Sequence, residues 1–245
     1  MMKKFPRVLG AVAVSITLTG CASTSPHDPL EGFNRTMFEF NDTLDKAALK
    51  PAAEAYQSVL PSFVQTGIGN FFGNLGDVWT AVNNFLQGKI EAGALDVVRV
   101  TANSTLGVLG LFDIASDSGV PKHQEDFGQT LGYWGVPSGP FVVLPFFGPS
   151  TVRDTTALPL DIYGNPWAYK EPTRWRNVGT VVRVIDKRAA LLDASNLLED
   201  AALDRYQFVR DAYMQRRLSQ VYDGDPPPME TTEDQDANGS NGDKE

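Results

Sequence analysis

The sequence predicts an all-α protein made of amphipathic helices. Apolar residues recur at intervals of three and four along several segments, which is the period of one helix face. The stretch from residue 55 to 152 carries only ten charged residues in 98, yet no segment after residue 20 has the roughly 20 consecutive apolar residues of a simple membrane-spanning helix. These observations favour helices that lie in one membrane leaflet, with an apolar and a polar face. A soluble domain with an unusually uncharged surface is the alternative.

A secretory signal is predicted at the start of the chain. Lys3, Lys4 and Arg7 precede an uncharged stretch from residue 8 to 19. The next residues complete the sequence Leu18-Thr19-Gly20-Cys21, which resembles the bacterial lipobox. Cys21 is the only cysteine of the chain, so we predict that it carries a lipid and that no disulfide forms.

Four regions follow from this start and from the composition. Residues 1–20 are the signal, 21–27 a lipid-anchored linker, 28–222 a single helical domain and 223–245 an acidic tail. The tail holds eight acidic residues and one lysine and has no aromatic residue, so it is predicted to be disordered. Ala22 and Ser23 follow the cysteine, and the absence of aspartate there favours the outer membrane.

The charge balance argues against a nucleic-acid ligand. The whole chain has a formal charge of −9, and removal of the three basic residues in the signal takes it to −12. Phosphate backbones require basic surface, which a chain this acidic does not supply.

The first helices are predicted from periodicity and from their boundaries. Asp28 is a candidate cap, with Pro29 and Glu31 in the first turn. The first apolar face comprises Leu30, Phe33, Met37, Phe40 and Leu44. A second comprises Leu75, Val78, Trp79, Val82, Phe85 and Leu86, and Gly88 ends it. Residues 90–112 form a third candidate helix, in which Gly107 and Gly110 would let another helix approach closely.

The segment from Phe127 to Val152 has no charged residue and contains five glycines and four prolines. Prolines at this spacing exclude a continuous regular helix. The sequence therefore predicts a short helix to about Trp134 and then a rigid, apolar, Gly/Pro-rich turn. An ordinary buried core loop is the alternative.

The C-terminal part predicts two further helices. Thr173 is a candidate cap for the first of them. Its apolar face comprises Trp175, Val178, Val182, Ile185, Ala189 and Leu192. The basic residues lie mostly off that face and are expected to be solvated: Arg174, Arg176, Arg183, Lys187 and Arg188. The last helix carries Tyr206, Val209 and Tyr213 and is expected to end near Arg217 or Val221.

No catalytic pattern is found. The two histidines, His27 and His123, have no serine elbow or zinc-ligand spacing near them. The glycines between residues 67 and 73 miss the dinucleotide-binding spacing, and the Glu125-Asp126 pair is weak evidence for acid–base chemistry. The sequence predicts no enzyme, cofactor or metal site.

Several long strings then point to one family. They are DPLEGFNRTM (28–37), VNNFLQG (82–88), FGQTLGYWGVPSGPFVVLPFFGPSTVRD (127–154), RAALLDASNLLE (188–199) and VRDAYMQRR (209–217). In these strings and their order the chain resembles the MlaA (VacJ) family of outer-membrane lipoproteins.

The resemblance implies a ring-like, all-helical body embedded in the periplasmic leaflet of the outer membrane. A central amphipathic channel would let phospholipids leave the outer leaflet and pass to a soluble periplasmic carrier, MlaC. An outer-membrane porin trimer would be a further partner. No catalytic residue is implied.

Two sets of residues are candidates for such a channel. The candidate headgroup contacts are Asn70, Asn74, Asn83, Asn84 and Gln87. The candidate lip and lipid-facing residues are Phe127, Trp134, Phe141, Phe146 and Phe147. Two other functions stay open at this point: a structural or porin-docking lipoprotein without a lipid path, and a phospholipase-like enzyme.

Overall fold

The computed structural model describes residues 28–227. The predicted signal, Cys21, the linker and the predicted tail from residue 228 onward lie outside the described residues. Within them the all-α prediction is confirmed, since ten α-helices are joined by turns and by one two-stranded sheet. No helix in this part of the chain is both long enough and apolar enough to cross a bilayer.

The described region begins with four α-helices, and the last two of them form a long helical hairpin. α1 (Glu31–Leu44) continues through a π-helical turn (Asp45–Leu49) into α2 (Lys50–Val59). Leu60 has extended backbone angles before Pro61, so the helix stops there. α3 (Ser62–Leu86) then runs for 25 residues, and Gly88, with a φ of 75°, turns the chain into α4 (Ile90–Thr105).

Two boundaries differ from the prediction. The third predicted helix does not reach residue 112, because Val108, Leu109 and Gly110 all have left-handed backbone angles. At Gly110 a Cβ would lie 2.7 Å from the Asn74 side chain of α3, so the expected close approach of another helix is seen there. α1 begins at Glu31, after Pro29, and the Asp28 carboxylate accepts hydrogen bonds from Asn34 Nδ2 at 3.2 Å and from the Tyr206 hydroxyl.

The predicted apolar turn contains a β-hairpin. α6 (Phe127–Tyr133) ends where the sequence indicated. β1 (Phe141–Leu144) then pairs antiparallel with β2 (Gly148–Thr151), with Phe141 opposite Thr151 and Leu144 opposite Gly148. The prolines exclude a regular helix over this segment, but a strand at the edge of a sheet tolerates proline. The remaining elements are α5 (Ile114–Asp117), α7 (Val152–Gly164), a 3₁₀ turn (Pro166–Tyr169), α8 (Thr173–Ala189), α9 (Leu192–Ala201) and α10 (Arg205–Val221).

The interior of the described region is mostly polar. Its buried side chains comprise eleven apolar or aromatic residues and eighteen polar or charged ones, while 36 large apolar side chains are exposed. Water-soluble domains show the reverse distribution, since burial of apolar surface is what stabilises them. The packing of this protein therefore depends strongly on internal hydrogen bonds.

Arg99 is at the centre of these bonds. Its side chain is 0 % exposed and donates two 2.9 Å hydrogen bonds to Asp113 and one of 2.8 Å to the Val120 carbonyl. Asp77 of α3 lies 3.4 Å from Arg99 Nε. Burial opposes ionisation of Asp113, but hydrogen bonds from Ser116, Asn103 and Arg99 more than offset it and lower its pKa. Arg99 thus fastens α3, α4 and the turn around α5 together.

We predict that Arg99→Met destabilises the fold by about 3–5 kcal/mol, because it leaves Asp77 and Asp113 without their buried cation. Chemical unfolding of the detergent-solubilised protein would measure the change. Arg174→Met, at an exposed arginine of α8, is the control and should change stability little. Equal stability of the two variants would contradict this account of the packing.

Candidate functional site

The hairpin of α3 and α4 has polar side chains inside the protein and apolar side chains outside, which is the reverse of a water-soluble domain. On α3, Asn83 and Asn84 are fully buried, whereas Val82 and Phe85 are about 40 % exposed. α4 repeats the arrangement, since Asp96, Arg99 and Asn103 point inward and Ile90, Val97 and Val98 point outward. A bilayer is the solvent in which such a surface is stable.

The five predicted headgroup residues are found along α3, most of them inside the protein. Asn84 Nδ2 donates to Asp96 Oδ2 at 2.7 Å, and Asn83 Oδ1 accepts from Thr130 Oγ1 at 2.8 Å. Gln87 Nε2 donates to Glu125 at 2.9 Å and to Thr130 at 3.1 Å. These three side chains join α3 to α4 and α6.

The other two lie nearer the N-terminal end of α3. Asn70 donates to the Leu111 carbonyl at 3.2 Å, and Asn74 donates to Ser104 Oγ at 3.0 Å. Asn74 Oδ1 is buried and has no hydrogen-bond partner among the described residues. Contact of any of the five with a lipid headgroup stays a prediction, and the hydrogen bonds show a structural use for all of them.

His123 and Glu125-Asp126 belong to the same polar interior. His123 Nδ1 lies 2.8 Å from Asp96 Oδ1, which holds the turn before α6 against α4. Burial raises the pKa of Glu125, although Gln87 and Lys89 oppose this effect. Asp126 instead caps α6 and pairs with Arg217, so the two carboxylates have separate partners and form no acid–base pair.

The β-hairpin is fastened to α1 by two asparagine side chains. Asn34, fully buried, donates to the Phe141 carbonyl at 3.0 Å and accepts from the Val143 amide at 2.8 Å. Two helical turns later, Asn41 donates to the Leu144 carbonyl at 2.9 Å and accepts from the Phe146 amide at 2.8 Å. Each amide thus pairs with the open edge of β1 as a neighbouring strand would.

The predicted lip residues divide into exposed and buried groups. Phe146 and Phe147, at the hairpin tip, are 73 % and 65 % exposed, and Phe146 packs edge-on against Phe40 of α1. Phe141 is only 4 % exposed and packs against Tyr206 and Tyr213 of α10. The prediction that Phe141 faces lipid is therefore wrong. It occupies an inward position of β1, where strand alternation points every second side chain to the core.

Phe127 and Trp134 lie at the two ends of α6. Their rings pack edge-on with centroids 6.1 Å apart. Trp134 is 52 % exposed, and its indole Nε1 donates to the Leu86 carbonyl at the end of α3 at 3.1 Å. Trp134 could meet lipid while it satisfies a helix carbonyl.

A polar cavity of about 300 Å³ lies between the hairpin, α7 and α10. On the hairpin side, its lining includes Leu144, Phe147 and Ser150. The opposite wall is a buried ion cluster, in which Arg217 donates to both Asp126 oxygens at 2.6 Å and to Asp154 at 2.8 Å. The cavity therefore has apolar and charged walls, as an amphipathic ligand requires.

Two carboxylates of this wall, Asp126 and Asp154, are paired with Arg217. Burial opposes ionisation of Asp154, but Arg217 and Arg153 more than offset it and lower its pKa. Asp161, also on the wall, has its pKa raised by burial, although it accepts hydrogen bonds from the Phe127 amide at 2.7 Å and from Trp79 at 2.8 Å. The cluster holds α6, α7 and α10 around the cavity.

α8 follows the expected pattern only in part. Trp175 and Val178, at the start of its predicted apolar face, are more than half exposed, whereas Ala189 and Leu192, at the end of that face, are buried. Arg183, expected to be solvated, is half-buried, and burial lowers its pKa. Periodicity therefore located the apolar face, of which the C-terminal part packs into the protein.

Sequence reasoning did not identify Asn34, Asn41 and Asp154 as residues that join distant elements of the fold. Asn34 lies within DPLEGFNRTM and Asp154 ends the long apolar string, so both are in segments that the family resemblance rests on. The partners that give them this role, Phe141, Leu144 and Arg217, are more than 50 residues distant in the chain, which no local pattern can indicate.

Comparison with known proteins identifies the family. The family model described as MlaA lipoprotein matches residues 26–220. The chain belongs to the MlaA lipoprotein family.

Individual relatives agree with this assignment. The chain is 38 % identical over 235 residues to the intermembrane phospholipid transport system lipoprotein MlaA of Escherichia coli K12, covering 91 % of this chain and 92 % of that one. It is 32 % identical over 232 residues to the protein of the same name from Haemophilus influenzae, covering 90 % and 92 %.

A solved structure gives the same fold. That structure was described as the structural basis for maintenance of bacterial outer membrane lipid asymmetry. It superposes with a TM-score of 0.70 at 38 % identity and covers 79 % of this chain and 98 % of its own.

We predict that Asn34→Asp loosens the β-hairpin. A carboxylate cannot donate to the Phe141 carbonyl, and it would lie beside Asp28. Each buried group left unpaired costs about 1–3 kcal/mol. Hydrogen–deuterium exchange of residues 141–151 should therefore be faster than in Thr36→Ala, a control at an exposed position of the same helix. Unchanged exchange in Asn34→Asp would show that the amide does not hold the hairpin.

Proposed function

We propose that this lipoprotein provides a path by which phospholipids leave the outer membrane, as part of an intermembrane phospholipid transport system. The proposal brings to this chain the function in the names of its Escherichia coli and Haemophilus influenzae relatives. The observation that carries it is the distribution of side chains, with apolar residues outside and polar residues inside.

The exposed apolar surface would lie in the hydrocarbon of one leaflet. Side chains such as Phe63, Val97 and Val98 are exposed on α3 and α4 and would contact acyl chains. Acyl chains on Cys21 would add an anchor of about 0.8 kcal/mol for each buried CH₂ group. We therefore propose the periplasmic leaflet of the outer membrane as the location of the protein.

The polar cavity beneath the hairpin is our candidate for part of the lipid path. A phospholipid must keep its headgroup solvated and its tails out of water as it moves. The charged wall around Arg217 and the apolar side chains Leu144 and Phe147 offer both environments. No nucleotide or metal is needed for such passive movement, and the described residues contain no His/Cys/Asp/Glu group able to hold a metal ion.

The partners follow from the same proposal. A soluble periplasmic carrier of the MlaC type would accept the lipid, because an exposed acyl chain cannot cross water unaided. An outer-membrane porin trimer would be the membrane neighbour. The protein would act as a conduit and not as an enzyme.

Transfer of labelled phospholipid tests the function directly. Proteoliposomes that contain the lipoprotein and fluorescent phospholipid are mixed with the purified carrier, and carrier-bound fluorescence is measured. We expect lipid on the carrier only when the lipoprotein is present. Equal loading of the carrier with and without the lipoprotein would contradict the conduit function. Release of free fatty acid would indicate an enzyme instead.

The hairpin is our candidate for a movable lip over this path. Phe127 to Gly148 contains no charge, and Gly135, Gly139 and Gly148 have left-handed backbone angles that suit hinges. Cysteines at positions 41 and 146, where a side chain meets a backbone amide, should form a disulfide that pins the tip to α1.

We predict that this disulfide slows transfer several-fold under oxidation and that reductant restores it. Each single-cysteine variant is the control and should transfer normally in both states. If the disulfide forms and transfer is normal in both states, the hairpin is a static wall.

A further inference from the structure

Two neighbouring cations of α8 lack a salt bridge to any described residue. Arg183 and Lys187 lie one helical turn apart, and neither forms an ion pair or a hydrogen bond with another residue in the range 28–227. Most other arginines of that range are paired with carboxylates: Arg35, Arg99, Arg153, Arg188, Arg205, Arg210 and Arg217. Arg174 and Arg216 also lack an ion pair within that range but are exposed, and Arg176 donates to the Ala168 carbonyl at 2.9 Å, whereas Arg183 is half-buried.

The surroundings of Arg183 form a recess between α3 and α8. Its guanidinium carbon lies 5.7 Å from the centroid of the buried Phe72 ring, and Trp167 packs edge-on against that ring. On the same face of α3, a Cβ at Gly69 would lie 3.5 Å from Asp186 and one at Gly73 would lie 2.9 Å from Lys122 Nζ, whereas one at Gly76 would meet nothing within 4 Å. The recess therefore has an aromatic wall and a glycine face of α3 that is open at Gly76.

Lys187 lies next to Arg183, one helical turn further along α8. Its side chain retains exposed surface, and partial burial together with the neighbouring Arg183 lowers its pKa. Asp186 raises the pKa of Lys187 and so opposes this effect. One of its carboxylate oxygens, Oδ1, already accepts a 2.8 Å hydrogen bond from the Tyr56 hydroxyl of α2.

The opposite side of α8 gives the orientation relative to lipid. Val178 and Val181 are exposed there and would face acyl chains under the proposed function. The two cations are then on the side of the helix that is turned away from hydrocarbon. Partial desolvation of an unmatched cation is unfavourable, and an anion in the recess would relieve it.

We propose that Arg183 and Lys187 bind the phosphodiester of a phospholipid headgroup and give the protein a preference for lipids with net negative charge. An arginine fork matches two phosphate oxygens, and a lysine adds a point charge beside them. Phosphatidylglycerol would leave one lipid charge for the two cations to neutralise, whereas phosphatidylethanolamine brings its own ammonium group. The proposal rests on the proposed function, because it assumes that phospholipid reaches the recess.

Lipid binding to the full-length lipoprotein would test it. The protein is purified in non-ionic detergent, stripped of lipid and titrated with phosphatidylglycerol or phosphatidylethanolamine, with native mass spectrometry as the readout. We expect phosphatidylglycerol to bind about tenfold more tightly, which corresponds to one charge-assisted contact. Arg183→Gln/Lys187→Gln should abolish that difference.

Lys170→Gln/Arg174→Gln is the matched control, since it removes two exposed charges from the start of the same region and should keep the preference. Lys187→Gln alone removes no hydrogen bond and no salt bridge within residues 28–227. It therefore replaces the double variant if that variant fails to fold, and it should reduce the preference for phosphatidylglycerol. A double variant that keeps the preference, or a control that loses it equally, would overturn the proposal.

Inorganic phosphate distinguishes a lipid site from a free-anion site. It should displace phosphatidylglycerol only at a large excess, because it gains nothing from the acyl chains. Displacement at equal concentration would overturn the lipid assignment. The transfer assay distinguishes failure of this proposal from failure of the proposed function. If the protein delivers both lipids to the carrier without preference, the function stands and the headgroup site at Arg183 and Lys187 is wrong.

Discussion

The internal hydrogen-bond network is the constraint on which the rest of the structure depends. With apolar side chains outside, the helices cannot be held together mainly by burial of hydrocarbon, so their contacts must be satisfied polar ones. Arg99 illustrates this, because it joins α3, α4 and the α5 turn through Asp77, Asp113 and the Val120 carbonyl. Arg217 does the same for α6, α7 and α10. A polar interior of this kind also leaves room for a solvated headgroup, so the stabilising network and the proposed path draw on the same side chains.

Side-chain hydrogen bonds hold the β-hairpin on α1. The outer edge of β1 is paired with the amides of Asn34 and Asn41, and the tip of the hairpin is exposed. Four side-chain hydrogen bonds are weaker than a full strand ladder, and each can break without disrupting the core below. The cavity that the hairpin covers is lined by the cluster of Arg217, Asp126 and Asp154, whereas no salt bridge forms at Arg183 or Lys187 among the described residues. The charges of Arg183 and Lys187 would therefore be available to the headgroup that we propose they bind.

Much of the fold could be predicted from the sequence, because helical periodicity is local. α1, α3, the end of α6 and α10 were all indicated by apolar spacing, glycine and proline. The hairpin was not, since proline excludes helix without specifying what replaces it, and the helix through residue 112 failed at Val108 and Leu109, whose left-handed angles depend on tertiary packing. The site was harder still. Periodicity identifies the apolar face of α8 but not whether Val178 faces a core or a bilayer, and the burial of Phe141 depends on Tyr206, 65 residues further along the chain.

The claim that the apolar surface faces lipid and the polar interior faces water is tested most directly by spin-label accessibility in bilayers. A nitroxide at Val98 would probe the outward face of α4, and one at Gly76, where a side chain meets open space, would probe the inward face of α3. We expect collisions with lipid-soluble oxygen to dominate at position 98 and collisions with a water-soluble nickel complex to dominate at position 76. A label at position 98 that meets the nickel complex as readily as the label at position 76 does would contradict the account.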